Sequence, residues 1–81
     1  MTERLKKALD FIKANYNSGI QVYFTRNIVG DDMDVVYQED DITIEYCPAY
    51  WYLEVFGLTN KEQAEFEGLL KGLSEFYFKE D

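Results

Sequence analysis

The sequence predicts an α+β fold: a four-stranded antiparallel meander sheet flanked by an N-terminal and a C-terminal helix, in the order α-β-β-β-β-α, with both helices packed on one sheet face. Three observations predict it. Apolar residues recur at three–four spacing near both ends of the chain. Between those segments they alternate in short runs, as half-buried strands do. Each helical segment carries one apolar stripe, so each needs only one layer to pack on.

Residues 2–17 read as the first helix, with Leu5, Ala8, Leu9, Ile12 and Tyr16 on one stripe. Thr2 suits the N-cap, where a side-chain oxygen takes a spare backbone N–H. Asn17-Ser18-Gly19 is a stop signal. Residues 20–28 read as the first strand, with Ile20, Val22 and Phe24 on one side and Gln21, Tyr23 and Thr25 on the other. Arg26 breaks the alternation, which predicts a bend or bulge there. The second strand spans 33–38, with Met33, Val35 and Tyr37 inward. Glu39-Asp40-Asp41 then forms a tight acidic turn.

The strongest signal is the hairpin over residues 42–56. Ile42, Ile44 and Tyr46 share one side of the third strand; Trp51, Leu53 and Val55 share one side of the fourth. Pairing Tyr46 with Trp51, Ile44 with Leu53 and Ile42 with Val55 gives a wholly apolar face. A slip of one residue would push Glu45 and Glu54 into the core. Pro48 cannot take positive φ, so the connection is a longer loop or a bulge and not a two-residue primed turn.

Thr59-Asn60-Lys61-Glu62 has the form of a capping box, which opens a helix running to about residue 78. Its predicted stripe is Phe66, Leu69, Leu70, Leu73, Phe76 and Tyr77. Gly68 and Gly72 lie in its interior, each costing roughly 1 kcal/mol relative to Ala. Their spacing implies close packing on the sheet or the first helix, or a helix–helix dimer contact.

The chain of 81 residues is expected to be a single domain spanning 1–81. A chain this short buries roughly 60% of its unfolded surface, so a partner or dimer adds stability. Thirteen residues are Phe or Tyr, which together with the periodicity argues against disorder. One cysteine excludes an internal disulfide and, with no signal peptide in the first residues, points to the cytoplasm.

The net charge of −8 makes bare nucleic acid and anionic membranes unsuitable partners. The charge is uneven. Residues 1–26 hold Glu3 and Asp10 against Arg4, Lys6, Lys7, Lys13 and Arg26, a net of +3. Residues 31–67 hold eleven acids against Lys61 alone, a net of −10. Such a block keeps a domain soluble and steers basic partners.

The sequence points away from catalysis and cofactors. Histidine, the commonest general base and metal ligand, is absent. Cys47 has no basic neighbour in sequence to activate it. A calcium loop opening at Asp32 would need Gly at Tyr37 and Glu at Thr43, so that reading fails. There is no Gly-rich phosphate loop. The expectation is a non-enzyme with no cofactor and no metal.

Tyr23-Phe24-Thr25-Arg26-Asn27-Ile28-Val29-Gly30-Asp31-Asp32-Met33, with Ile42-Thr43-Ile44-Glu45-Tyr46-Cys47 and Tyr52-Leu53-Glu54-Val55-Phe56-Gly57-Leu58-Thr59, resembles small acidic proteins encoded by phages and prophages of Gram-positive bacteria. The resemblance covers the middle of the chain. It implies a setting and not an activity. In that setting a small acidic protein binds a host or phage protein, and some such proteins place carboxylates where DNA phosphates would lie.

Three functional readings follow. The first is a protein-interaction module using the second sheet face, which the predicted fold leaves uncovered, with Tyr23, Tyr50, Tyr52, Glu45 and Glu54 as partner-binding residues. The second is an acidic DNA-mimic inhibitor, of anti-restriction or anti-CRISPR type, with Asp31, Asp32, Asp40 and Asp41 among its charges. The third is a homodimer joined through the spare face or a strand edge.

Overall fold

The structure, a computed structural model, describes residues 2–16, 20–24, 33–49, 51–71 and 77–79. It is an α+β fold with two helices and a mixed sheet. The elements are α1 (Glu3–Asn15), β1 (Gln21–Tyr23), β2 (Asp34–Glu39), β3 (Ile42–Cys47), β4 (Tyr52–Phe56), α2 (Asn60–Lys71) and β5 (Tyr77–Lys79).

The sheet order is β2-β3-β4-β1-β5. The predicted meander holds for β2, β3 and β4, which pair antiparallel. The predicted pairing of the first two strands does not. β1 instead lies parallel to β4, with Val22 opposite Leu53. The reason lies in β4. Tyr52, Leu53, Glu54 and Val55 are all buried, so both faces of this strand need cover and both edges need partners. A four-strand meander would leave β4 at the sheet edge. β1 fills that edge and makes β4 the central strand.

A second correction concerns the C-terminal segment. The predicted helix to residue 78 stops at Lys71, and Tyr77–Lys79 forms β5, parallel to β1. A parallel strand cannot be reached by a tight turn, so α2 serves as the crossover from β4. The aromatic pair Tyr77-Phe78 favours extended backbone.

Both helices pack on one sheet face. Val22, Ile42, Ile44, Leu53 and Val55 meet Leu5, Ala8, Leu9 and Ile12 of α1 and Phe66 and Leu70 of α2 in one apolar cluster. Burying each of these Val, Ile, Leu and Phe side chains contributes about 1.5–3 kcal/mol. Phe24 and Phe66 add an edge-on ring contact at 6.1 Å. Phe11 lies 5.1 Å from Tyr37, and Tyr16 lies 5.2 Å from Tyr46, closing the α1 flank of the core. Tyr16 is the helix C-cap, its N–H donating to Ile12 O at 2.8 Å. The predicted stop signal at residues 17–19 lies outside the described residues, as does the break at Arg26.

The hairpin keeps its predicted faces but shifts its register by two residues. Ile44 sits opposite Val55 and Tyr46 opposite Leu53. A two-residue shift preserves parity, so Glu45 and Glu54 stay off the helix side. Trp51 leaves the strand and joins a four-residue connection from Pro48, where its N–H donates to Cys47 O at 2.7 Å. Its predicted place in the core is therefore corrected: Trp51 is 47% exposed.

The second strand is corrected too. A bulge between Val35 and Tyr37 adds a residue to β2. Tyr37 and Val36 pack on the helix-side core, whereas Val35 swings to the other face and is exposed. Met33, predicted inward, follows Val35 to that face. In α2, Phe66 and Leu70 are buried as predicted, but Leu69 is 39% exposed. Gly68 is exposed, with nothing within 4 Å of where a Cβ would stand, so it makes no close contact with sheet or helix. Gly72, Leu73 and Phe76 lie outside the described residues. No helix among the described residues is long and apolar enough to cross a membrane.

Candidate functional site

The second sheet face is built by alternation. When Ile44, Leu53 and Val22 face the helices, their neighbours face away. Two rows of side chains result. Cys47, Tyr52 and Gln21 stand side by side on β3, β4 and β1. Glu45, Glu54 and Tyr23 form the next row.

This face is not uncovered, which corrects the expectation drawn from the sequence. Cys47 is 3%, Tyr52 2% and Glu54 1% exposed. Tyr52 is held from two sides. Its hydroxyl donates to Met33 Sδ at 3.6 Å, and its ring meets Tyr23 edge-on at 5.1 Å. Burial pushes the Tyr52 phenol well above the usual tyrosine range, and the neighbouring Glu54 adds to that shift. The Tyr23 hydroxyl donates to Gln21 Oε1 at 2.5 Å.

Of the residues expected to bind a partner, Tyr23, Tyr52, Glu45 and Glu54 are thus brought together. Tyr52 and Glu54 lie inside and offer no contact area in this conformation. Tyr23 and Glu45 are half-buried. Tyr50, Asp31 and Asp32 lie outside the described residues. Asp40 and Asp41 are exposed and sit apart, at the two-residue turn between β2 and β3. Both have positive φ, 54° and 66°, the geometry of a primed hairpin turn.

That acidic turn is partly neutralised from within. Lys7 Nζ lies 3.1 Å from Glu39 and 3.9 Å from Asp40. The hydrogen bond and charge of Glu39 hold the Lys7 amine above its ordinary value. Arg4 Nε donates to Asp40 O at 3.1 Å. The basic N-terminal segment and the acidic block seen in the sequence therefore face each other. Among the described residues, no three metal-type side chains gather into a cation site.

Two features escaped the sequence reading. One is the aromatic flank of Phe11, Tyr16, Tyr37 and Tyr46, in which the Tyr37 hydroxyl is buried without a hydrogen-bond partner. Burial raises the Tyr37 phenol above its ordinary value. The other is Trp51, exposed at φ 56°. Pro48 carried the signal for it: a proline that forbids a tight turn lengthens the loop and pulls Trp51 out of the strand.

No family model, curated protein or solved structure matches the chain.

Proposed function

We propose that the protein is a non-catalytic interaction module that binds a protein partner through the β3–β4 turn, with Trp51 as the anchor. One observation carries the reading. Trp51 is half-exposed in a left-handed backbone conformation that costs a non-glycine residue about 1–2 kcal/mol. Both features oppose folding, and only the covered half of the ring offsets them. Strain kept at an exposed aromatic residue is the mark of a site maintained for contact. The anchor moves from Tyr52 to Trp51 because Tyr52 is inside. The resemblance to phage and prophage proteins supports a host or phage protein as partner, and a charge of −8 argues against direct nucleic-acid binding.

The test is capture from lysate of a Gram-positive host, with wild type and Trp51→Ala compared at low and high salt. The expected result is a specific partner retained through high salt by wild type and lost by Trp51→Ala, with an unchanged far-UV circular dichroism spectrum. Equal capture by both sinks the reading. A second reading, acidic mimicry, is favoured by the exposed Asp34, Asp40 and Asp41. It predicts a partner released by salt and indifferent to Trp51. Lys7 and Arg4, set against that acidic turn, weigh against it.

A further inference from the structure

We propose that the outer edge of β2 receives an extended, basic segment of a partner protein, which adds to the sheet as a sixth strand. β2 ends the sheet: β3 pairs with one side, and no described strand pairs with the other. An edge of this kind offers a row of N–H and C=O groups for strand addition. Asp34, Val35, Gln38 and Glu39 are exposed, so side chains of an incoming strand have open neighbours on both sheet faces.

Charge selects the occupant. Asp34 and Glu39 flank the edge, and Asp40 and Asp41 continue it. Residues 33–49 contain no Lys or Arg. Lys7 offsets Glu39 and Asp40, at the opposite end of β2 from Asp34. A second copy of this chain would set acids against acids across the new ladder, which is destabilising, whereas lysines or arginines in alternate positions would meet them. Val35, 56% exposed, gives the added strand one apolar contact on the face away from the helices. The bulge beside it bends the edge, so the added strand is short. The proposed edge does not include Trp51, which lies between β3 and β4, and either proposal stands if the other fails.

The probe is a short fluorescent peptide alternating lysine and valine, followed by anisotropy, beside the same peptide N-methylated at alternate residues. N-methylation keeps the charge and removes the backbone donors that strand addition needs. Expected are binding of the first peptide only, slower amide hydrogen exchange across residues 34–39, a loss of at least about tenfold in affinity in Asp34→Lys/Glu39→Lys, and no change in Trp51→Ala. Equal binding of both peptides would show charge attraction without strand addition and overturn the proposal. So would a dimeric mass of the free protein with β2 amides already protected, because a second copy would then own the edge.

Discussion

Arg4 on α1 and Glu62 on α2 form a two-pronged pair, with Arg4 Nη1 2.5 Å from Oε1 and 2.7 Å from Oε2 of the carboxylate. Glu62 also closes the predicted capping box. Its Oε1 accepts from Thr59 N–H at 3.0 Å, and Thr59 Oγ1 accepts from Glu62 N–H at 3.1 Å. Arg4 meanwhile donates to Gly57 O at 2.8 Å and to Asp40 O. One guanidinium thus ties the starts of both helices to two turns. A lysine has no fork to reproduce this. The pair is partly exposed, at 26% and 12%, so solvent screening trims its worth. Arg4→Lys is expected to lose about 1–2 kcal/mol, nearly as much as Arg4→Ala, in urea denaturation. A lysine variant as stable as wild type would show that the fork adds nothing.

The same carboxyl sets the acid limit of the fold. The Thr59 backbone N–H, and then Arg4, hold Glu62 below its ordinary value of 4.5, against the opposing effect of burial. Its folded pKa is depressed, so its stabilisation is complete above the unfolded value and is lost as pH falls through the folded one. Stability should therefore decline below pH 4.5, and Glu62→Gln, which preserves the cap geometry, should flatten part of that decline. On the alkaline side, burial raises Tyr16, Tyr37 and Tyr52 above 10. Raised folded values mean stability present below 10 and lost as pH rises beyond it. Phenolate absorbance near 295 nm should show part of the tyrosine signal appearing only as the fold is lost.

Two glycines should respond oppositely to alanine. Gly57 has φ 94°, and a Cβ there would stand 1.9 Å from Asp41 O, a backbone atom that cannot swing aside. Gly57→Ala is expected to cost at least about 2–3 kcal/mol. Gly68 sits on the exposed side of α2 with open space around it. Gly68→Ala should gain about 0.5–1 kcal/mol, because alanine loses less backbone entropy in a helix. Thermal melts of the two variants give the signs directly, and a destabilising Gly68→Ala would mean that this helix face is covered in solution.

What was legible in the sequence was periodicity and local chemistry. Thr2 and the Thr59–Glu62 box mark the helix starts through bonds that span only a few residues. Strand faces were legible because a two-residue register error leaves parity intact. Neighbours across the sheet were not. Nothing local says that β1 joins β4, a consequence of the burial of β4 on both faces. The bulge at β2 has no glycine to announce it, so Val35 read as inward. The candidate face failed for a related reason: Tyr23, Tyr52 and Glu54 are brought together as expected, but cover from elsewhere in the chain is a tertiary property.

Trp51 allows stability and function to be separated at one position. Its φ of 56° suits glycine, and its ring is nearly half in solvent. Trp51→Gly removes the left-handed penalty of about 1–2 kcal/mol and forfeits only the contacts of the covered half of the ring. It also loosens the unfolded chain, which opposes the gain by up to about 1 kcal/mol. The expected outcome is a midpoint of denaturation equal to or slightly above wild type, with partner capture abolished. A residue kept against its own conformational preference is then kept for contact. Loss of about 2 kcal/mol or more in Trp51→Gly would instead make the ring a structural plug over the hairpin end, and the strain would belong to folding.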